Sequence, residues 1–478
     1  MSRSKIPTDP EENKVPKWDD LLRRLPKRYS TLDCDGANQL VLYQKGPLVI
    51  ENIEKWIEEV IRETKNRDIH LVSVCGECNQ SLLVFSGSAI EEFIHSHVSG
   101  GGPGNKRNGG TVAGWQDEGK GFFFSSNVKI WLPNAKLKRD ETKDRNKNEG
   151  KKSDPRKAIK VAVFDTGVMP EEIPDYLLDE PNPCIPLAIQ GWNFTVPNNQ
   201  FRDDNPGEHG SNVTQYVINK VFQENRAEIR VIPVKIHNSN GKSDLYSILC
   251  GLAYAANRKV NIINASFGYF APIETEKDAK AAESYGVNLF RQFINDQLVA
   301  NKIILVAAAG NEAAMEEVQS DFRNLYPLPA EVRDLDQISF YPASFARQPP
   351  LNPDLKLVDV SNFVIAVTTV LQKTGDSVSD HQNYSKNVVD VGIRAEVEKF
   401  KFRNPRYTFP DLEGSSFATP KMTGLIAAYY EEFRGALEKK NIIETLIKVG
   451  KLQNNEKVDG QIRNGVIDKD DPVTRNPQ

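Results

Sequence analysis

Five short apolar runs, each rich in β-branched residues, constrain the fold of this chain more than any other feature. Runs without polar alternation are typical of strands that are buried on both faces of a parallel sheet. The five runs are 159–164, 231–236, 260–263, 303–308 and 364–368. Apolar residues at helical spacing separate the second run from the third. These residues are Leu245, Ile248, Leu249, Leu252, Ala253 and Ala256. Strand–helix–strand repeats predict an α/β domain with a mostly parallel sheet in a three-layer arrangement.

The remainder of the 478-residue chain divides by composition. Residues 1–38 are polar, residues 39–133 alternate strand and helix patterns, and the large α/β domain occupies 159–478. Between them, residues 134–158 carry ten Lys/Arg and five Asp/Glu. Because such a stretch cannot bury enough apolar surface to offset its ordering entropy, we interpret it as a charged flexible linker.

The region 39–133 has the pattern of a small α+β domain. The predicted order is strand, helix, strand, strand, helix, strand, as in ferredoxin-like units. The predicted strands are 39–44, 69–75, 81–86, about 111–115 and 121–131, and the helices are 48–66 and 88–98. A glycine-rich segment, 100–110, lacks the Gly-Lys-Ser/Thr ending of a phosphate loop, so it is interpreted as a mobile hairpin loop.

Charge and hydropathy exclude several function classes. The net charge is −4, from 61 basic and 65 acidic side chains, which does not favour a nucleic-acid partner. The sequence has no apolar run of the roughly 18 residues that a membrane span needs. The N-terminal segment lacks the apolar core of a secretory signal, which predicts a cytoplasmic protein.

Five cysteines are few for this length, and their number is odd. The count predicts no disulfide framework and fits a reducing compartment. Cys75 and Cys78 are interpreted as plain turn cysteines between two strands. A zinc site with His95 and His97 and a redox pair are the alternatives. The sequence predicts no cofactor, and no metal site is assigned.

Four polar residues stand at predicted element boundaries. Asp165 follows a buried strand directly, at the end where parallel sheets collect functional groups. His209 begins a helix, where the dipole disfavours a cation and so favours a neutral imidazole that can act as a base. Asn311 ends another strand and offers an amide donor for an oxyanion. Ser416 opens a helix, so its own backbone N–H faces an incoming anion.

Each of these four residues has an ordinary structural interpretation: a turn or cap for Asp165, a surface loop for His209, a turn for Asn311 and an N-cap for Ser416. Their joint occurrence in the order Asp, His, Ser favours nucleophilic catalysis instead.

The segments that carry these residues resemble the motifs of the subtilisin-like protease family. They read VFDTG at 163–167, HGSNV at 209–213, AAGNE at 308–312 and GSSFATP at 414–420. The resemblance covers about 159–478 and implies a serine endopeptidase. The chain departs from the family pattern at Asn212, Ser415 and Phe417, none of which is a triad position. Additional loops are expected within 313–340, 346–362 and 396–412.

The resemblance also implies roles for individual residues. His209 would accept the proton of Ser416, Asp165 would orient the imidazole, and Asn311 would stabilise the oxyanion. The segment Ser266, Phe267 and Gly268 would pair with the substrate backbone. Ala308 and Gly310 would line the primary pocket, with Glu312 at its edge.

The predicted partner is a protein or peptide substrate. The domain 39–133 is either a prodomain removed by cleavage in the linker or a permanent regulator that receives an activating partner or ligand. Three rival functions remain: a peptide ligase or macrocyclase with the same acyl-enzyme, a partner-gated scaffold, and a non-enzymatic binding module. A non-enzymatic binding module predicts a broken triad, whereas all three triad residues are present in this sequence.

Overall fold

A computed structural model describes residues 17, 21, 39–75, 78–79, 81–97, 122–132, 158–271, 286–311, 333–349, 357–371, 376–394, 414–433 and 437–467. Several predicted features lie outside these residues. They are nearly all of 1–38, the segment 100–110, the strand near 111–115, nearly all of the linker 134–158, Glu312, most of 313–340, residues 350–356 and all of 396–412.

Residues 39–132, called the N-terminal unit below, contain a four-stranded antiparallel sheet in the order β2-β3-β1-β4. Its elements are β1 (Leu40–Gln44), α1 (Ile50–Thr64), β2 (His70–Val74), β3 (Leu82–Ser86), α2 (Ser88–His97), β4 (Phe122–Ser126) and β5 (Lys129–Trp131). Trp56 of α1 fixes the helix on this sheet, with ring centroids 5.0 Å from Phe85 and 5.5 Å from Phe124.

The prediction of one continuous strand over 121–131 is wrong, because this range contains two separate strands, β4 and β5. The break falls at Asn127, whose amide Nδ2 donates to Gln39 Oε1 at 3.0 Å. Its Oδ1 accepts the backbone N–H of Tyr246 at 3.1 Å. These side-chain bonds turn the chain out of the first sheet, and β5 then pairs with a different strand.

The large region contains the remaining strands. They are β6 (Ile159–Asp165), β7 (Trp192–Asn193), β8 (Ile229–Lys235), β9 (Lys242–Asp244), β10 (Ile262–Ala265), β11 (Tyr269–Ala271), β12 (Ile304–Ala308), β13 (Ser339–Tyr341), β14 (Val364–Val370), β15 (Val391–Arg394), β16 (Leu452–Gln453) and β17 (Val466–Ile467). Nine form one sheet in the order β16-β17-β15-β14-β12-β10-β6-β8-β7. Every pair in it is parallel except β16 with β17, which confirms the predicted mostly parallel sheet.

Helices cover both faces of this sheet. They are α3 (His209–Glu224), α4 (Leu245–Asn257), α5 (Val287–Ile294), α6 (Ser415–Ala428) and α7 (Lys439–Lys448). Alternate residues of β6 point to opposite faces: Val161 and Val163 pack with α3 and α6, whereas Ala162 and Phe164 pack with α4. Each fully buried large aliphatic or aromatic side chain contributes about 1.5–3 kcal/mol, so both faces stabilise the sheet. Within the described ranges, no helix is long and apolar enough to cross a membrane.

The N-terminal unit packs on the face that α4 and α5 cover. The hydroxyl of Tyr43 donates to Asp296 Oδ2 at 2.9 Å, and its ring lies edge-on to Phe293. The hydroxyls of Ser73 and Tyr246 are 2.8 Å apart. Apolar residues of β1, β3 and β5 belong to the same continuous core as α4 and α5, so the two regions share buried surface.

The expectation of unpaired cysteines is wrong. Cys75 forms a disulfide with Cys250, and Cys78 forms one with Cys184. The sequence could not reveal this pairing, because the partners lie 175 and 106 residues apart and meet only through the packing of the two regions. The pairing also removes the plain-turn interpretation of Cys75 and Cys78.

Candidate active site

Three of the predicted site residues lie at one edge of the large sheet. Asp165 ends β6, Ser266 directly follows β10, and Asn311 lies three residues beyond β12. Since β6, β10 and β12 are parallel neighbours, their carboxyl ends meet at this edge. Ser416, in the first turn of α6, completes the group, because Ser266 Oγ donates to the Ser416 carbonyl at 2.8 Å.

Asp165 and His209 form a buried side-chain pair. Nδ1 of His209 lies 2.8 Å from Oδ1 of Asp165, and the two side chains are 2% and 1% exposed. The same Oδ1 accepts the backbone N–H of Thr166 at 2.8 Å. A Cβ atom on Gly210 would lie 2.2 Å from the Gly167 carbonyl oxygen, so glycine allows α3 to approach the end of β6 this closely. Among the described residues, Nε2 of His209 has no hydrogen-bond partner and is therefore free to accept a proton.

The pKa of His209 is raised, opposite to the direction expected from the helix dipole. Burial lowers it, but the carboxylates of Asp165 and Asp203 outweigh burial by favouring the charged imidazolium. Asp203 accepts the N–H and the hydroxyl of Ser211, both at 2.9 Å, and so holds the first turn of α3 in place. Burial raises the pKa of Asp203 to about 6.

Ser416 is fully buried, and its hydroxyl donates to the carbonyl oxygen of Ser266 at 3.1 Å. Its own carbonyl is free of the usual helix bond because Pro420, four residues later, has no N–H. The hydroxyl of Ser266 takes that position instead. Pro420 lies beyond the first turn of α6, and the Ser266 hydroxyl satisfies the carbonyl that this proline leaves unpaired.

Asn311 is oriented by its neighbour Ser415. Oδ1 of Asn311 accepts both the backbone N–H and the hydroxyl of Ser415, at 3.1 and 2.9 Å. The amide Nδ2 is buried and has no hydrogen-bond partner in the part of the chain that the structure describes. Gly414, at φ 116°, makes room for it, because a Cβ there would lie 2.9 Å from Nδ2. Asn311 thus keeps a fixed donor ready for a negatively charged oxygen.

The residues predicted to bind substrate lie beside this group. A Cβ on Gly268 would meet the Phe340 ring at 2.3 Å, which fixes a glycine there. Ala308 ends β12 and is 2% exposed, and the N–H of Gly310 donates to the Ser415 hydroxyl at 3.0 Å. The ring of Phe267 packs against His237 at 5.4 Å.

Sequence reasoning missed several residues that support the site. Ser415 orients Asn311, and Asp203 supports His209; the signal for both was a polar residue within six positions of a candidate. Gln382, which accepts the Ser415 N–H at 2.7 Å, gave no such signal. His237 is fully buried beside Phe267, and burial lowers its pKa to about 3, so its imidazole is neutral.

The described residues contain no group of three or more His, Cys, Asp or Glu that could hold a metal ion. The side chains of His95 and His97, invoked in the zinc alternative, lie outside the described residues.

Comparisons with known proteins place this chain among proteases. The model of the Subtilase family matches residues 156–465, which is more than half of the chain. The major intracellular serine protease of Bacillus subtilis (strain 168) is 25% identical over 304 residues, covering 61% of this chain and 76% of that protein. The minor extracellular protease Epr of the same organism is 27% identical over 161 residues, or 33% of this chain and 20% of that protein.

Among solved structures, the epidermin leader peptide processing serine protease of Staphylococcus aureus is similar in fold. It superimposes with a TM-score of 0.50 at 14% identity, covering 90% of this chain and 96% of that chain. The sheet and the family match together define a serine protease, a hydrolase with the subtilisin-like fold. The chain belongs to the subtilase family.

Proposed function

We propose that this protein is a serine endopeptidase that cleaves protein or peptide substrates through Asp165, His209 and Ser416. The observation that carries the proposal is the 2.8 Å Asp165–His209 pair, whose second imidazole nitrogen has no partner among the described residues. The His209 ring lies 5.3 Å from the ring of Phe417, the residue that follows Ser416. An unpaired buried polar atom is costly and needs an explanation, and acceptance of the serine proton supplies one for Nε2 of His209.

The reaction begins with a rotation of the Ser416 hydroxyl from the Ser266 carbonyl toward Nε2 of His209. Hydrogen bonds of this kind are often formed only in the substrate complex. Ser416 Oγ then attacks the peptide carbonyl carbon as its proton passes to Nε2, and Asp165 stabilises the resulting imidazolium. The carbonyl oxygen, now negative, accepts hydrogen bonds from Asn311 Nδ2 and from the N–H of Ser416.

The imidazolium next protonates the leaving amine, and the acyl group stays on Ser416. Water then attacks this ester as its proton passes to His209, and the imidazolium returns that proton to Ser416 Oγ as the acid product leaves. A peptide ligase or macrocyclase differs only in the last step, where an amine replaces water, and the product mass distinguishes the two.

The N-terminal unit is the candidate restraint on this site. β5 pairs antiparallel with β9, with Ile130 opposite Ser243, and the Leu132 N–H donates to the Gly241 carbonyl at 2.9 Å. β5 also lies against β11, the strand that directly follows Gly268. An added strand here occupies the surface on which an extended substrate would pair, which supports restraint by the N-terminal unit.

Two observations bear in opposite directions on location. The similarity to the major intracellular serine protease of Bacillus subtilis supports the predicted cytoplasmic location. The two disulfides oppose it, since such bridges persist mainly in oxidising compartments. A cytoplasmic location, like an activating partner for the N-terminal unit, remains a prediction.

The test compares the intact mass of purified wild type with that of Ser416→Ala, before and after treatment with a fluorophosphonate reagent that phosphonylates activated serines. We expect the reagent to add to wild type at Ser416 and to spare Ser416→Ala. Loss of a fragment ending within 134–158 in wild type alone, with the masses measured after reduction of the disulfides, would make the N-terminal unit a self-cleaved prodomain. Equal labelling of the two proteins, after the linker is cut and the disulfides are reduced, would overturn the proposed function.

A further inference from the structure

Four of the five cysteines join the N-terminal unit to the large region. Cys75 follows β2 and meets Cys250 of α4, with their Cα atoms 5.6 Å apart. Cys78 lies in the turn before β3 and meets Cys184, with a Cα separation of 4.8 Å. Both separations fall in the usual disulfide range of about 4.4–6.8 Å. Both bridges therefore cross the same boundary.

The linker lies between the two bridged regions in the sequence, so the disulfides determine what happens when it is cut. Residues 134–158 follow Cys75 and Cys78 in the chain and precede Cys184 and Cys250. If the linker is cut, each disulfide still connects the two products. Cleavage alone consequently leaves the N-terminal unit attached, unlike a prodomain that is held by packing only.

An attached unit keeps β5 at the site. β5 continues directly from β4 of the N-terminal sheet, so retention of that sheet keeps β5 beside β9 and β11. A covalent tether makes rebinding intramolecular, with an effective concentration on the order of millimolar for short connections. Once the tether is lost, rebinding depends on protein concentration, and dilution favours the open site.

The bridges lie within the shared core. The four cysteines are 4–9% exposed, and the Asn257 side chain donates to the Cys78 carbonyl at 3.2 Å. Reduced cysteines pack as small apolar side chains, so reduction leaves the interface folded. Reduction therefore acts on attachment, whereas linker cleavage removes the backbone connection. Neither step alone separates the two regions.

We propose that these disulfides act as a redox lock: release of the active site requires linker cleavage and reduction of both bridges. The inference rests on the proposed protease function. A dithiol supplies the electrons for each bridge. One dithiol thiolate attacks a bridge sulfur, the mixed disulfide then closes into a cyclic disulfide, and two cysteine thiols are formed. Each bridge takes two electrons and two protons, so two dithiols open the lock.

The experiment uses the full-length chain with residues 141–146 replaced by the recognition site of a sequence-specific endopeptidase. Four samples are compared: intact or cut, each with or without dithiothreitol. We expect the cut chain to migrate as one species without reductant and as two species with it. We expect the fluorophosphonate labelling rate of Ser416 to rise at least about tenfold only in the cut and reduced sample.

Two cysteine variants provide the controls. Cys34→Ser removes the cysteine outside the two bridges and should behave as the parent does. Cys75→Ser/Cys78→Ser removes both bridges, and after cutting it should label rapidly without dithiothreitol. Alkylation of the denatured, unreduced wild type does not depend on whether a variant folds. In this experiment one cysteine should react and four should be protected.

The outcomes separate the two proposals. Three results would each refute the lock and leave the protease function intact. They are separation of the cut chain without reductant, alkylation of all five cysteines, and a labelling rate of the cut chain that is the same with and without dithiothreitol. Absence of Ser416 labelling in all four samples would instead refute the protease function and, with it, the lock.

Discussion

The two halves of the candidate site are held in different ways. In the proposed acid–base half, Asp165 and His209 already make the side-chain contact that the proposed mechanism requires. In the nucleophile half, Asn311 is oriented by Ser415, but the Ser416 hydroxyl bonds to a backbone carbonyl and must leave it to react. The proposed proton acceptor and oxyanion donor are therefore fixed in advance, and only the proposed nucleophile has to move.

This difference predicts which substitutions alter chemistry and which alter only geometry. Groups that carry charge in the transition state should dominate the rate, whereas groups that orient them should contribute less. The rate of ester or peptide hydrolysis in each variant, measured after the N-terminal unit has been released, tests this ranking.

The largest effect is expected for Asp165→Asn, in the acid–base half. The isosteric amide removes the negative charge that stabilises the His209 imidazolium. It also places an NH2 group either at the unpaired Oδ2 position or toward the Thr166 N–H. We expect kcat to fall about 10⁴-fold, with KM little changed. Steady-state kinetics and a thermal melt measure the two effects, and a fall below tenfold in a folded variant would contradict the role.

A smaller effect is expected for Asn311→Ala, in the nucleophile half. This change deletes the buried Nδ2 donor, which has its full effect only when the oxyanion forms. We expect kcat to fall about 10²–10³-fold with an almost constant KM. If KM rises while kcat is preserved, Asn311 contributes to ground-state binding and not to oxyanion stabilisation.

Ser415→Ala is the matched control for Asn311 and carries a smaller prediction of its own. It deletes the hydroxyl between Gly310 and Asn311 but leaves Nδ2 and the Ser415 N–H contact in place. Two hydrogen bonds are lost, and the one to Asn311, of about 1 kcal/mol, should lower kcat about fivefold. Ser415→Thr keeps the hydroxyl and should retain the wild-type rate. A loss with Ser415→Ala as large as with Asn311→Ala would mean that orientation, not donation, governs the oxyanion site.

The sequence was sufficient to predict the parallel sheet and the boundary positions of Asp165, His209, Asn311 and Ser416. Its success has a physical reason: buried parallel strands are continuous apolar runs, and residues at their carboxyl ends gather at one edge. The catalytic roles of these residues remain predictions.

What the sequence could not predict depends on contacts between distant segments. The turn at Asn127 is stabilised by Gln39 and Tyr246, and the disulfides join residues more than 100 positions apart. The upward shift in the pKa of His209 has the same origin. Position at a helix start suggested the opposite sign, but the carboxylates of Asp165 and Asp203 favour the imidazolium and outweigh the effect of burial.

The smallest effect is expected for Asp203→Asn, and it concerns pH dependence. Asp203 is buried and favours the His209 imidazolium from a distance, without a direct hydrogen bond to the ring. Removing its charge should lower the pKa of His209. Because the base must be neutral to accept the Ser416 proton, activity is lost as pH falls through that pKa. The acidic limb of kcat/KM should therefore move to lower pH, with the rate at high pH almost unchanged.

The neighbouring carboxylate provides the control for this last prediction. Asp204 is 58% exposed and pairs with Lys235 at 2.6 Å, so its charge is neutralised locally and screened by solvent. Asp204→Asn should leave the acidic limb in place. The side-chain oxygen of Asp203→Asn can still accept the Ser211 N–H and so keep the contact with the first turn of α3. A shift of the acidic limb in this variant alone therefore reports the loss of charge. A shift to higher pH, or equal shifts in both variants, would show that the buried carboxylate does not set the pKa of the base.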